Sequence, residues 1–563
     1  MLVAASACSG GDGEDQTLPE PSLAAGRFAD ALTAGDFGDV AFVGATSTEV
    51  GEQFQTIAFG MGELRPVAEV VDVRGGPDAD PAGAPDPDDE AALRATASLD
   101  VVWTFPDGRE WAYETEVDLR LIEEATDEGD DEDPEPEWRV VWSPTVVEPS
   151  LVDGEILTFE RTQPERGKIL GIDDQPFEVR RPDGDLAREV LGVAGEATAE
   201  QIEESEGRLQ IGDITGRSGL ERSADDVLSG SLGIVVEAVT QSGDAAQREV
   251  FRLDAVDGED LHTSLDVRLQ LAARDVLADV GPPSALVAIR PSSGEVVAVA
   301  SGPGSSGLST ATLGQYAPGS TFKVVSSLAL LRAGLTPDSE IECPPTIVVD
   351  GREFKNYGDY PSSGIGTITL RTALANSCNT AFIGQRTAIE QPDLVSAGEA
   401  LGIGVVSPLG VPHFEGLIPA DATAVQHAAS MIGQDRILVS PLAMATVAAS
   451  VAAGETVHPT LVEAVDEAPT VDEPLTAEEA LLLRSMMETV VAGGSGALLA
   501  DLPGPPVGAK TGTAEYGTAV PPQTHAWMIA VHGDLAVSVF VEDGPGGSTT
   551  AGPILERFLR TVG

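Results

Sequence analysis

Positive charge is scarce in this chain. Of its 563 residues only 32 are lysine or arginine, against 92 aspartates and glutamates, and the formal net charge is −60. Such a surface repels nucleic-acid phosphates and anionic headgroups, which excludes phosphate-backbone binding as the main role and leaves nucleic acid off the list of partners. The acidity otherwise reads as a solvated surface and says little about mechanism. Cysteine is scarcer still, with Cys8, Cys343 and Cys378 alone. That number cannot build a disulfide framework, and no Cys-x-x-Cys spacing suggests zinc. Cys343 and Cys378 are open to two readings, a bridge outside the cytosol or two buried thiols. Long apolar runs are missing at the start: the stub before Cys8 is too short to span a bilayer and lacks the basic opening of a signal peptide. The six histidines lie outside the segment around Ser320, and there is no Gly-x-Ser-x-Gly elbow. A Ser-His-Asp hydrolase is therefore a poor fit.

What is present is patterned. The length and the 42% hydrophobic content suit about two to four globular domains. From Pro21, Leu23, Phe28, Ala31 and Leu32 recur at helical spacing. After Leu93 the chain alternates, with Asp107-Gly108 as a hairpin turn between strand-like runs and "EWRVVWSPTVV" as a further strand. A helical region followed by a curved antiparallel sheet is an α+β pattern. Two Pro-, Gly- and acid-rich stretches, 74–90 and 124–137, read as loops without structure of their own. Residues 150–260 mix short strands ("EILTFERTQ", "GIVVEAVT", "REVFRLDAV") with an acidic helix, "TAEQIEESEGRL". Beyond Leu261, Leu265, Leu269, Ala272 and Ala273 form a helix face. "SALVAIRPSSGEVVAVAS" then gives two strands about a turn, and "HAWMIAVHGDLAVSVFVED" a buried hairpin before the terminal helix "AGPILERFLRTV".

The chemistry begins with the rarest basic residue. Lysine occurs four times, at Lys168, Lys323, Lys355 and Lys510. In "PGSTFKVV", Ser320 and Lys323 stand at i and i+3, on one face of a helix that opens just after Pro318-Gly319. A serine hydroxyl is a weak nucleophile until a base takes its proton. A lysine amine serves when burial and a second cation lower its pKa. The bland alternative is a capping serine with a solvent lysine; the apolar run that follows argues for burial. "ANSCNTAF" adds Ser377 and Asn379 near a second helix start, a hydroxyl to pass a proton and a carboxamide to hold an amide. "GAKTGTAEYG" adds Lys510, Thr511, Gly512 and Thr513 on a strand edge, where small hydroxylated residues admit a substrate backbone and a carboxylate. Each alone is weak.

In this order the three resemble the Ser-x-x-Lys, Ser-x-Asn and Lys-Thr-Gly set of penicillin-binding proteins and serine β-lactamases. "TSLDVRLQLAARDVL", "ALVAIRPSSGEVVAVAS", "MIGQDRILVSPLAMATVAASVAAG" and "RSMMETVVAGGSGALL" also resemble transpeptidase-domain segments. "ERGKILGIDD" is similar to the Arg-Gly-x-Ile signature of the class B pedestal, which normally continues Asp-Arg-Asn-Gly where this chain has Gly171-Ile172-Asp173-Asp174. The N-terminal helix and sheet resemble the nuclear-transport-factor-2-like domain of methicillin-resistance-type penicillin-binding proteins. No glycosyltransferase-like block appears.

The resemblance implies a multidomain α+β fold: residues 1–20 a signal remnant and linker, 21–147 the nuclear-transport-factor-2-like domain, 148–260 a β-rich pedestal or dimerisation domain, and 261–563 a transpeptidase domain with an antiparallel sheet, flanking helices and a helical lobe. It implies a peptidoglycan D,D-transpeptidase. Ser320 would attack the penultimate D-Ala of a D-Ala-D-Ala stem peptide, with Lys323 as base, Ser377 as proton relay beside Lys510, and Asn379 holding the substrate and Lys323. Thr511 and Thr513, with Gly512 between them, would bind the terminal carboxylate, and the N–H groups of Ser320 and Thr513 would form the oxyanion hole. β-Lactams would acylate Ser320. No metal or organic cofactor is implied. Expected partners are stem peptides on lipid II-derived glycan strands and membrane proteins of division or elongation. Ala5-Ser6-Ala7 before Cys8 is similar to the end of an actinobacterial-type lipoprotein signal. On that reading Cys8 carries a lipid, the start codon lies upstream, and the protein sits on the outer face of the cytoplasmic membrane. A DD-carboxypeptidase or β-lactamase of the same fold, and a non-catalytic penicillin sensor, are the alternatives.

Overall fold

Strands Arg94–Thr104 and Glu110–Ile122 meet across the Asp107-Gly108 turn, pairing antiparallel from Thr104 opposite Glu110 to Arg94 opposite Arg120. Alternation explains why they pair as they do: Trp111, Thr115, Val117, Leu119 and Leu121 are buried on one face while Ala112, Glu114, Glu116, Asp118 and Arg120 on the opposite side face solvent. The structure is a computed structural model that describes residues 19–76, 93–122, 136–177, 188–205, 207–240, 247–463 and 469–562. Cys8 with its signal-like stub, and most of the two acidic loops, lie outside the described residues. The chain divides into two compact units: residues 1–164 with 198–211 and 231–256, and residues 165–197 with 212–230 and 257–563.

In the first unit, Pro66–Gly75 and Glu137–Val141 flank the central pair to give a four-stranded antiparallel meander. A bulge between Val70 and Asp72 sharpens its curvature. Two helices cover it. Pro21–Ala34 starts with proline at its first position and ends on Gly35 in the left-handed region. Phe28, Ala31 and Leu32 are buried as their spacing predicts, but Leu23, in the first turn, is 64% exposed. The second helix, Ser47–Ile57, opens with a Thr46/Glu49 capping box. Phe28, Phe37, Phe42 and Phe54 pack between helices and sheet. A three-stranded sheet, Arg248–Leu253, Gly233–Thr240 and Glu155–Thr162, belongs to the same unit.

The second unit is built on a five-stranded antiparallel sheet in the order Glu295–Ser301, Ser284–Arg290, Ala536–Val541, Gln523–Val531, Gly508–Tyr516. Both faces are covered, so the inner strands Ser284–Arg290 and Ala536–Val541 are buried at nearly every position rather than at alternate ones, and apolar apart from Ser284, Arg290 and Ser538. One face carries Val267–Leu277, capped by the Asp266 carboxylate, and the C-terminal helix Gly552–Val562. The other carries Pro441–Ala453, buried on almost every side, and the helical lobe. The strand holding Lys510 is thus an edge strand, paired with a neighbouring strand along one side only. The pedestal-like segment also lies in this unit. Arg166 is ion-paired to Glu221 and Asp225, and Ile169–Leu170 pairs parallel with Leu261–His262.

Candidate active site

Ser320 sits in a single 3-10 turn, Gly319–Phe322, that runs directly into the helix Lys323–Arg332. The turn is pressed backbone to backbone against the edge strand Gly508–Tyr516. Gly319 has φ +53°, and a Cβ there would lie 2.4 Å from the Thr513 carbonyl oxygen; a Cβ on Gly512 would lie 2.8 Å from the Pro318 carbonyl oxygen. Only glycine allows both approaches. The Trp527 indole N–H donates to the Ala317 carbonyl at 3.0 Å, and the Gly319 N–H to the Gly433 carbonyl at 2.9 Å, fixing the turn from two sides.

Lys323 and Lys510 are both fully buried. The Lys323 Nζ is 3.1 Å from Ser320 Oγ, 2.7 Å from Asn379 Oδ1, 2.8 Å from the Ser377 carbonyl and 3.1 Å from Ser377 Oγ. Burial, and secondarily the charge of Lys510, pushes this amine well below the ordinary lysine range. A neutral amine has two N–H bonds and one lone pair. If the carboxamide and carbonyl oxygens take the N–H bonds, the lone pair is left for the Ser320 proton. The Lys510 Nζ donates to the Thr511 carbonyl at 2.7 Å and to Ser377 Oγ at 3.1 Å, and burial lowers it to about 7.

Ser377 enters from the loop before the helix Asn379–Gly384, and Asn379 is the first residue of that helix. Ser377 has φ +59°, a strained value for a residue with a side chain. The Thr511 and Ser495 hydroxyls are 2.7 Å apart, and Thr513 Oγ1 accepts from the Gly547 N–H at 3.3 Å, which leaves its own proton to donate. The structure therefore brings Ser320, Lys323, Ser377, Asn379 and Lys510 into one hydrogen-bonded cluster, with Thr511, Gly512 and Thr513 next along the same strand as Lys510. Sequence reasoning missed Ser495, Asn356 and the Lys355 carbonyl, which touch Thr511 and Asn379 only through long-range folding. A serine between two glycines and an asparagine beside a lysine carry no spacing signal. The pairing of Cys343 with Cys378, open in the sequence, is settled here as a disulfide.

Two family models match the chain: the penicillin-binding protein transpeptidase domain over residues 284–560, and the penicillin-binding protein dimerisation domain over residues 144–263. The peptidoglycan D,D-transpeptidase PbpA of Mycobacterium tuberculosis is 31% identical over 409 residues, 61% of this chain and 78% of the relative. The peptidoglycan D,D-transpeptidase MrdA of Acinetobacter baumannii is 30% identical over 227 residues, 36% of this chain and 33% of the relative. Among solved structures, a penicillin-binding protein in complex with MreC from Helicobacter pylori superposes with a TM-score of 0.61 at 19% identity, covering 72% of this chain and 98% of that one. A peptidoglycan synthase complex gives 0.62 at 23% identity, over 73% and 92%. At those identities the structures speak for the fold. The chain belongs to the class B penicillin-binding proteins, the peptidoglycan D,D-transpeptidases with a dimerisation domain ahead of the transpeptidase domain.

Proposed function

We propose that the D,D-transpeptidase reaction of this chain runs through an ester on Ser320. The observation that carries this reading is the 3.1 Å separation between the Ser320 hydroxyl and the buried Lys323 amine. Lys323 takes the hydroxyl proton as Ser320 Oγ attacks the carbonyl carbon of the penultimate D-Ala. The N–H groups of Ser320 and Thr513 receive the developing oxyanion, the interaction that usually lowers such barriers most. As the C–N bond breaks, Ser377 passes a proton to the leaving D-Ala amine and is resupplied from the lysines on either side. Asn379 holds the donor peptide and orients Lys323; Thr511 and Thr513 hold the terminal carboxylate with Lys510 nearby. The amine of a second stem peptide then attacks the ester, forms the cross-link and returns Ser320. A β-lactam enters the same first step, its ring amide opening onto Ser320. Intact-mass measurement after penicillin exposure, with the adduct mapped to the peptide holding Ser320, tests the reading; an adduct elsewhere, or none, rejects it.

Residues 21–147 act as a nuclear-transport-factor-2-like domain, residues 148–260 as the pedestal, and residues 261–563 as the transpeptidase domain. Two helices against a curved four-stranded meander support the first assignment. Among the described residues no helix is long and apolar enough to cross a membrane. A lipid on Cys8 would supply the anchor and place the site outside the cytoplasm, where stem peptides are. A membrane protein of division or elongation is the expected partner; the Helicobacter pylori penicillin-binding protein is seen in complex with MreC.

A further inference from the structure

Asn379 has a carboxamide whose two ends differ in chemistry but hardly in shape, and only its oxygen can accept from Lys323. What decides the orientation lies outside the motifs. The Asn379 Nδ2 donates to the Lys355 carbonyl at 3.0 Å. A carbonyl is an acceptor only, so this contact forces Oδ1 toward Lys323. The next residue, Asn356, holds the backbone. It is 8% exposed. Its Oδ1 accepts from the N–H groups of Asn379, at 2.8 Å, and Thr380, at 3.2 Å. Its Nδ2 donates to the Pro344 carbonyl at 3.3 Å and to Thr380 Oγ1 at 3.2 Å. The two N–H groups it satisfies open the helix Asn379–Gly384, and first-turn donors have no partner inside their own helix. The Cys343–Cys378 disulfide ties the middle residue of the same loop to the strand Glu340–Cys343. Immediately before these two holds in the chain lies Ser377, in a backbone conformation that persists only where its surroundings over-determine it.

We propose that Asn356 is a positioning residue for acyl transfer, and that the Cys343–Cys378 disulfide is the second half of the same clamp, the two together holding Ser377 and Asn379 in register with Lys323. Asn356 touches no reacting atom and acts through Asn379. The proposal deepens the reading of Ser320 as the acylated residue and rests on it. One consequence is that a thiol reductant reaching the disulfide slows the enzyme without removing any residue of the site.

The test follows acylation of the full chain by a fluorescent penicillin over time and concentration. It compares the parent, Asn356→Leu, Asn356→Ala, and the parent and both variants with the disulfide reduced. Three quantities are read: the limiting rate constant, the half-saturating concentration, and the final adduct stoichiometry by intact mass. Asn356→Leu keeps volume and loses the acceptor, so its limiting rate constant should fall roughly ten- to a hundredfold, the scale on which small misplacements slow a reaction. Half-saturation should change less than the limiting rate constant, since the Asn379 contact to the peptide shifts while Thr511 and Thr513 are untouched. The adduct should still reach one per chain. Both cysteines are fully buried, so reduction is confirmed by alkylation of two thiols in the intact mass. Reduction of the parent, which needs no variant to fold, should then slow the same step, and reduction of either variant should add less than its effect on the parent because both act on one loop. A parent-like rate in Asn356→Leu, or a loss of stoichiometry at unchanged rate, would overturn the positioning role. Fully multiplicative effects would overturn the shared clamp. Absence of any adduct on the parent would instead sink the reading of Ser320 itself.

Discussion

Lys323 and Lys510 aim their amines at one oxygen: each Nζ lies 3.1 Å from Ser377 Oγ. Their other partners are hydroxyl, carbonyl and carboxamide oxygens, all uncharged. Two buried ammonium groups at this spacing would repel strongly, because little solvent screens them. The arrangement favours a state in which at least one lysine is neutral, and burial with the charge of Lys510 pushes the one facing Ser320 well below the ordinary lysine range.

That coupling predicts the pH dependence of acylation. Part of the depression of Lys323 comes from the charge of Lys510. Lys510→Met removes that charge, so Lys323 should hold its proton to higher pH, and the acidic limb of the acylation rate profile should move upward. Rates of penicillin acylation measured across pH in both proteins check this; an unmoved limb would mean that the lysines do not share a field.

The same substitution predicts a stability change with a definite sign. Lys510 falls from 10.5 when unfolded to about 7 when folded, so between those values the unfolded chain binds more protons and stability rises with pH. Below about 7 both states are protonated and the full cost of burying the charge is present. Lys510→Met should therefore raise the melting temperature most at and below neutral pH, with an advantage that shrinks toward pH 10.5. Melting curves of both proteins at several pH values show whether the gap closes.

Removing the nucleophile and the base should have separable effects. Ser320→Ala leaves no oxygen to esterify, so covalent penicillin labelling should vanish. Lys323→Ala keeps the oxygen and removes the group 3.1 Å away, so acylation should slow roughly 10²- to 10⁴-fold, the usual contribution of a positioned base. Labelling time courses resolve the two. Near-normal acylation in Lys323→Ala would assign the base to another group.

Much of this was legible because the chemistry is local. Ser320 and Lys323 are one helical turn apart and so share a helix face, and Lys510 to Thr513 are contiguous on one strand, Lys510 on one face and Thr511 and Thr513 on the other, so the sequence alone keeps each group together. The helix faces at Phe28 and at Leu269 and the turn at Gly108 followed from periodicity and turn chemistry in the same way. What spacing could not reveal is what distant pairing decides. The C-terminal hairpin inserts between the strand Ser284–Arg290 and the Lys510 strand, making the latter an edge. Asn356 reaches Asn379 across 23 residues, and Cys343 reaches Cys378 across 35. Leu23 fits the helical period yet stays exposed; a period marks the side of a helix that can be covered, not the length that is. The helix Ser47–Ile57 has its signal in the Thr46/Glu49 capping box, which sits outside any long apolar run.

The close approach of two backbones carries a further prediction. Gly319 combines φ +53° with a Cβ position 2.4 Å from the Thr513 carbonyl oxygen. Alanine there meets a left-handed backbone and a contact no real Cβ makes, so either the turn or the strand must move. Residues forced into such conformations cost about 1–3 kcal/mol each, and the steric contact adds to that. The displacement falls between Ser320 and Thr513, whose N–H groups are assigned to the oxyanion. Gly319→Ala should therefore lose more than stability: acylation should fall by roughly 10²-fold, the order lost when an oxyanion donor is misplaced, even at temperatures where the variant is fully folded. Acylation rates taken well below the melting temperature of the variant separate the two losses. A destabilised protein with the parent's rate would show that the oxyanion does not lie between these two backbones.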